Sequence, residues 1–135
     1  MTDNADVSEA NPLVRASRAG DRFHYCLAAR RSLSLLDNNS GLNRIIIEGD
    51  DVSGTNGEYS LDMTEVYRDG FAFDRIKYQF KYSVERVGKP FAFSELKKTI
   101  VGFAENYQAQ LPHKLSLRYL IVTNRGVSDE LLFWT

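Results

Sequence analysis

Residues 58–83, with the sequence EYSLDMTEVYRDGFAFDRIKYQFKYS, contain two runs in which apolar and polar residues alternate. A period of two is typical of β-strands, because successive side chains point to opposite faces of a sheet. The runs predict strands over 58–67 and 74–83, joined by a turn at 68–70 and paired antiparallel. In the second strand the predicted apolar face is Ile76, Tyr78, Phe80 and Tyr82, and the predicted polar face is Arg75, Lys77, Gln79, Lys81 and Ser83.

The flanking sequence completes an alternating pattern of helices and strands. The further predicted elements are a helix from Gly20 to Leu36, a strand over Arg44–Glu48, a helix capped by Ser94 and ending near Gln108, and a strand over Leu115–Thr123. The apolar face predicted for the second helix is Leu96, Ile100, Phe103 and Tyr107. The order α-β-β-β-α-β predicts an α/β fold, with a mixed four-stranded sheet flanked by helices. We expect 1–19 to form a flexible tail before a core at 20–135.

Composition narrows the function classes. The chain has 135 residues, 17 Lys and Arg against 18 Asp and Glu, and one cysteine, Cys26. This length favours one domain, and the balance of charge excludes a uniformly basic nucleic-acid binder. Without a long apolar run or a possible internal disulfide, we expect a soluble cytoplasmic protein with no membrane partner.

Charge is distributed unevenly along the chain. Residues 37–74 hold nine acids and two arginines, a net charge of -7, whereas 75–98 hold seven basic residues and two acids, a net charge of +5. Ordinary solvated faces explain such blocks. A cation site next to an anion-binding surface is the alternative explanation.

Four polar residues of the predicted sheet could form a metal site. Gln79 and Lys81 share one face of their strand, Asp62 lies on the polar face of the preceding strand, and Glu48 ends the strand before that. Carboxylate and amide oxygens suit Mg²⁺ or Mn²⁺, and a lysine can stabilise charge on a reacting phosphate. The spacing alone is common, and an exposed polar strand face is the alternative interpretation.

Five segments, in order, carry a family resemblance. GDRFHYCLAARRSLSLL, IIIEG, LDMTEVY, QFKYS and PFAFSELKKTIVGFAENY together resemble the N-terminal double-stranded-DNA nuclease domain of bacterial anti-phage proteins. Members of that group include CBASS effector nucleases and Avs-type STAND NTPases, and the domain belongs to the PD-(D/E)xK restriction-endonuclease-like superfamily. The resemblance covers about residues 20–125, and the predicted element order matches the common core of that superfamily.

The resemblance implies roles for individual residues. Asp62 takes the place of the metal-binding aspartate, Gln79 the (D/E) position and Lys81 the lysine, with Glu48 as a further ligand or water-organising group. Gln79 departs from the motif, because it is an amide where the motif has a carboxylate. A neutral amide binds a cation less strongly than a carboxylate, and this favours one metal ion over two. Glu65 also matches the family, but its strand parity is opposite to that of Asp62, so we expect a structural role.

The expected function is therefore a Mg²⁺- or Mn²⁺-dependent DNA endonuclease in anti-phage defence. The resemblance further implies a sensor or NTPase module as a partner, and double-strand cleavage suits a homo-oligomer. The chain would then be a fragment, or a core that is controlled by a partner. One alternative is a degenerate nuclease fold that only binds nucleic acid or oligomerises, and a weaker one is a small-ligand-binding α/β module.

The remaining polar residues have less specific interpretations. We expect His24 to be a helix-surface or core-edge residue, Asp50 and Asp51 to lie in a solvated loop, and Cys26 to be a small core residue. Four basic residues are candidates for contacts with DNA phosphates, with a solvated helix face as the equal alternative: Arg30, Arg31, Lys97 and Lys98.

Overall fold

The computed structural model describes residues 12–49 and 61–129, with side chains from residue 18 onward. Its elements are α1 (Pro12–Ser32), β1 (Leu42–Ile47), β2 (Met63–Tyr67), β3 (Arg75–Lys81), α2 (Phe93–Gln110) and β4 (Leu117–Thr123), with short 3₁₀ turns at Leu33–Leu36, Asn38–Ser40 and Leu111–His113. The predicted order α-β-β-β-α-β is therefore confirmed within the described residues.

The sheet has the strand order β1-β2-β3-β4. β1, β2 and β3 pair antiparallel, and β4 pairs parallel to β3 after the crossover through α2. The mixed four-stranded sheet is thus as predicted. β2 and β3 pair because their short connection returns the chain directly, whereas a parallel neighbour requires a longer crossover.

The two helices cover opposite faces of the sheet. Ala28 of α1 packs in one core cluster with Met63, Tyr78 and Phe80, the apolar face predicted from the alternation. Lys77, whose side chain points to the other face, donates a hydrogen bond of 2.9 Å from Nζ to Oδ1 of Asn106 on α2.

α1 begins at Pro12, eight residues before the predicted start at Gly20, so 12–19 are helical and do not belong to a tail. Proline suits the first turn of a helix, because its fixed φ is already helical and its missing N–H would have had no helical acceptor. Gly20 is an interior residue of α1. A glycine inside a helix costs only about 1 kcal/mol relative to alanine, which a long helix with a packed face tolerates.

The polar face of β3 is buried by α2 at Lys77, whereas Arg75, Gln79 and Lys81 on the same face are partly exposed. Lys77 is fully buried, and its ammonium shares the Asn106 carbonyl oxygen with the hydroxyl of Tyr119, which donates at 2.6 Å. A buried ammonium is tolerated only with such partners. The sequence pattern missed this burial, because a lysine on an alternating strand ordinarily faces water.

α2 presents a different buried face from the one predicted. Its buried residues are Leu96, Thr99, Gly102, Phe103, Asn106 and Gln110, whereas Ile100 and Tyr107 are exposed. The prediction was wrong for these two residues because the buried face includes the polar residues Thr99, Asn106 and Gln110, so hydrophobicity alone does not identify it. α2 also begins one residue before the predicted cap Ser94, and Oε2 of Glu95 instead accepts the backbone N–H of Ala92 at 3.0 Å.

Two predictions concern residues outside the described ranges: the first part of the strand over 58–67 and the loop with Asp50 and Asp51. Among the described helices, none is long and apolar enough to cross a membrane.

Candidate metal and phosphate site

Three of the four residues singled out in the sequence lie side by side at one end of the sheet. The N–H of Glu48, the residue after β1, donates to the carbonyl oxygen of Asp62 at 2.7 Å. The N–H of Asp62 in turn donates to the carbonyl oxygen of Tyr78, the neighbour of Gln79, at 2.8 Å. The strand pairing itself therefore brings Glu48, Asp62 and Gln79 together across β1, β2 and β3.

The carboxylate of Asp62 is held at this end of the sheet by β3. Its Oδ2 accepts hydrogen bonds from Nε2 of Gln79 at 2.9 Å and from the backbone N–H of Phe80 at 2.6 Å. Tyr78 faces Met63 in the strand register and also accepts the N–H of Asp62, so two residues of one strand oppose one residue of the next. This is the arrangement of a β-bulge, which reorients a side chain at the end of a ladder.

Gln79 presents its amide nitrogen to the carboxylate, so the NH₂ group partly balances the charge of Asp62. A divalent ion shared by the two side chains would require the amide oxygen in that position. Rotation about the last side-chain bond of Gln79 exchanges the two atoms without moving the backbone. The pair can therefore supply hard oxygen ligands of the kind that Mg²⁺ and Mn²⁺ prefer.

Glu48 adopts a left-handed backbone conformation, with φ of 56°. This region is uncommon for residues other than glycine, and it costs of the order of 1 kcal/mol or more. The conformation turns the chain out of β1 directly beside Asp62, and the Glu48 side chain is exposed. Its carboxylate is thus free to approach a cation from the solvent side.

Lys81 is the last residue of β3 and lies opposite Thr123 of β4. It is half-buried, and it projects from the same face of the strand as Gln79, about 7 Å further along. A lysine side chain is long enough to bring its ammonium to a phosphate bound between these two positions.

His24 lies beside the site, at a position for which the sequence favours a helix-surface or core-edge residue. Its Nδ1 is 4.0 Å from Oδ1 of Asp62, and its ring contacts that of Phe80 at a centroid distance of 5.3 Å. The side chain is half-buried, which agrees with a core-edge residue, but the contact with Asp62 also places it in the candidate site. Helix periodicity alone does not show such a contact between α1 and β2.

Glu65 is separated from this site and is fully buried against α1. Its carboxylate accepts hydrogen bonds from Nε of Arg31 at 2.7 Å, from Nη2 of Arg31 at 3.0 Å and from the hydroxyl of Tyr67. Burial, the largest effect, opposes ionisation, but the hydrogen bonds from Arg31 and from two tyrosine hydroxyls outweigh it, so the pKa of Glu65 is lowered. This geometry agrees with the structural role expected for Glu65.

The basic residues proposed as phosphate contacts divide into three groups. Arg31 donates two hydrogen bonds to Glu65, and its side chain is 40% exposed. Arg30 is an exposed residue of α1. Lys97 and Lys98 are exposed residues of α2, on the opposite face of the sheet from α1.

Carboxylates alone do not form a metal cluster in the described part of the chain. Within 12–49 and 61–129, no group of three or more His, Cys, Asp or Glu side chains could hold a metal ion. Any site at Asp62 therefore depends on Glu48, on the amide of Gln79 and on water, and Asp50 and Asp51 lie outside the described residues. No family model, curated protein or solved structure matches this chain.

Proposed function

We propose that this chain is a Mg²⁺- or Mn²⁺-dependent endonuclease domain that hydrolyses phosphodiester bonds of double-stranded DNA, with a PD-(D/E)xK restriction-endonuclease-like fold. The observation that carries the proposal is the hydrogen bond of 2.9 Å between Asp62 and Gln79 at the end of the sheet. Glu48 lies on one side of this pair, and Lys81 lies two residues further along β3. Glu48 and Asp62, which precede Gln79 by 31 and 17 positions in the sequence, are therefore its neighbours in space.

The donor set fits a single hard divalent cation. Asp62 and Glu48 contribute negative charge, and Gln79 contributes a neutral oxygen once its amide has rotated. A bound Mg²⁺ or Mn²⁺ supplies a Lewis acid for a phosphate oxygen and lowers the pKa of a bound water. The backbone N–H of Phe80 donates a hydrogen bond to the carboxylate of Asp62 and so fixes the orientation of this ligand.

Lys81 acts on the phosphate itself. Its ammonium neutralises negative charge that accumulates on the phosphoryl oxygens during in-line attack by water. Such electrostatic stabilisation by a single group is worth about 10²–10³-fold in rate. His24 of α1 lies beside the carboxylate of Asp62, with its Nδ1 4.0 Å from Oδ1.

The biological setting that we propose is anti-phage defence, in which a sensor or NTPase module activates the nuclease. A homo-oligomer would place two such sites on the two strands of a duplex. Both statements rest on the resemblance of the five sequence segments. They do not rest on contacts in the structure.

A second candidate function has one observation in its favour. The amide nitrogen of Gln79, and not its oxygen, faces Asp62, so the carboxylate is satisfied by the protein alone. A domain in which Gln79 always keeps this orientation would hold no metal ion at Asp62. It would therefore bind DNA without cleaving it.

Plasmid degradation distinguishes the two functions. We expect the full chain to nick and linearise supercoiled plasmid with Mg²⁺ or Mn²⁺ but not with EDTA, and Lys81→Ala to lower the rate by about 10²-fold. Lys89→Ala, which removes the same charge from an exposed loop, serves as the control. If the plasmid stays intact with Mg²⁺ and also with Mn²⁺, at protein concentrations that allow oligomers to form, the result would contradict nuclease activity and favour the second candidate.

A further inference from the structure

An open pocket of about 600 Å³ lies on the exposed side of α1, beyond the end of β3. None of its residues belongs to the set predicted from the sequence to contact DNA. The residues that line it are Arg18, Ala19, Arg22, Phe23, Cys26 and Tyr82.

The pocket combines two cationic groups with an aromatic wall. Arg18 and Arg22 are one helical turn apart on α1, so their side chains lie on the same face and both are exposed. Within the described residues neither guanidinium forms an ion pair, unlike that of Arg31, which is bound to Glu65. The rings of Phe23 and Tyr82 form the wall, at a centroid distance of 4.9 Å.

The pocket adjoins the candidate site. Phe23 contacts Phe80 edge-on at a ring-centroid distance of 6.4 Å, and the next residue of α1, His24, contacts the same ring at 5.3 Å. His24 in turn lies 4.0 Å from Asp62. Phe80 and its neighbours on α1 therefore form the partition between the pocket and the Asp62 carboxylate.

The chemistry of the pocket suits a nucleic-acid strand. Arginine guanidinium groups match phosphate geometry, and aromatic rings offer a stacking surface for a sugar or a base. The sequence of α1 between 12 and 32 contains five arginines and one acid, Asp21, so this helix carries a positive field toward an anionic ligand. Because the pocket lies next to Asp62, we expect one nucleic-acid strand to occupy both the pocket and the candidate site.

We propose that Arg18 and Arg22 bind DNA phosphates that flank the phosphate held at Asp62, with Phe23 and Tyr82 as the wall of the groove. This inference rests on the proposed function for the identity of the ligand. It adds a DNA contact on the α1 side of the sheet to the site at the sheet end, and it assigns no DNA contact to Lys97 and Lys98 of α2.

Paired charge removals test the side on which DNA binds. With Ca²⁺ in place of Mg²⁺, we expect Arg18→Ala/Arg22→Ala to weaken binding of a fluorescent 20-base-pair duplex by roughly tenfold to a hundredfold near 0.1 M salt, and to lower the slope of log K against log salt by about 2. Lys97→Ala/Lys98→Ala removes the same charge and should leave both quantities unchanged. Equal effects of the two variants, a larger effect of the α2 variant, or no binding by the wild type would overturn the inference.

Cys26 provides a second measurement that does not depend on charge or on cleavage. It is the one cysteine of the chain, and it lines the pocket. It is exposed, so the expectation of a small core residue was wrong: residue 26 lies on the outer side of α1. Saturating duplex should slow its reaction with a maleimide at least several-fold, and Arg18→Ala/Arg22→Ala should remove this protection at the same DNA concentration. A thiol moved to α2, in Cys26→Ser/Lys98→Cys, should react at one rate with and without DNA.

The two measurements separate this inference from the proposed function. Protection of Cys26 without any plasmid cleavage would contradict the nuclease and leave the DNA-binding pocket standing. Plasmid cleavage with unprotected Cys26 and an unaffected Arg18→Ala/Arg22→Ala variant would contradict the pocket and leave the nuclease standing.

Discussion

Asp62→Asn is expected to lower the rate of plasmid cleavage by at least about 10²–10³-fold, the scale on which removal of one electrostatic group acts in an active site. Asparagine retains an oxygen that can accept the N–H of Phe80, which Asp62 now accepts at 2.6 Å. The strand end should therefore keep its shape. The negative charge that a divalent cation requires is lost, and so is the activity that depends on the cation.

The variant is to be compared with Asp69→Asn, which makes the same change at an exposed position of the β2–β3 turn. Cleavage rates, thermal unfolding and duplex affinity in Ca²⁺ should be measured for both. We expect Asp62→Asn to lose cleavage while melting within a few degrees of the wild type, and Asp69→Asn to match the wild type throughout. Full cleavage by Asp62→Asn would exclude this carboxylate from the chemistry.

Glu65→Gln is expected to be the most destabilising single change among the acids of the described sheet. The carboxylate is fully buried and accepts from Arg31 and Tyr67. An amide at this position turns an NH₂ group toward donors, which leaves buried donors unsatisfied. We expect the free energy of unfolding to fall by about 3 kcal/mol. This is the lower end of the range for a broken buried ion pair, because the Arg31 side chain is 40% exposed and can turn toward water. The midpoint of thermal unfolding should fall by roughly 10 °C.

The effect of this substitution should depend on pH in a defined direction. The folded-state pKa of Glu65 is lowered despite burial, through its hydrogen bonds and the charge of Arg31. Its contribution is therefore present above the unfolded-state pKa, near 4.5, and is lost as the pH falls through the folded-state pKa. The difference in free energy of unfolding between wild type and Glu65→Gln should be constant from pH 5 to 8 and shrink below about 4.5.

Glu85→Gln, a change of an exposed acid, is the matched control and should shift stability by less than about 0.5 kcal/mol. Chemical denaturation across the pH range gives both differences. Two results would contradict the ion pair as the main support of this part of the core. One is a loss in free energy of unfolding below about 1 kcal/mol at pH 7 for Glu65→Gln. The other is a difference from the wild type that grows as the pH falls.

The sheet was predictable because its signals are local. Alternation in 58–83 identifies β2 and β3, and the register then follows from burial, since a slip of one residue would expose Met63 and Tyr78. That register brings Asp62 next to Tyr78 and Gln79 of β3. The sequence therefore contains enough information to place two of the site residues next to each other.

The failures on side-chain burial concern contacts between elements. Lys77 is buried and Ile100 is exposed because of where α2 packs, and the periodicity within an element does not determine that choice. The pairing of Arg31 with Glu65, 34 residues away in sequence, is a contact of the same kind. His24 reaches Asp62 for the same kind of reason, through the docking of α1 on the sheet.

The outer stripe of α2 is the other consequence of this packing. Phe93, Ile100, Val101 and Tyr107 are exposed on it. Exposed apolar side chains that form a contiguous patch are a common basis of protein–protein contact.

The central claim is that Asp62 and Gln79 share a divalent cation with Glu48. A crystal of the chain grown or soaked with Mn²⁺, measured at a wavelength at which manganese scatters anomalously, tests it most directly. We predict one anomalous peak within coordination distance of an Asp62 carboxylate oxygen and of Oε1 of Gln79, with the amide rotated from its present orientation and the peak absent in Asp62→Asn. A fully loaded crystal in which Nε2 of Gln79 still donates to Asp62, with no peak between them, would contradict the claim.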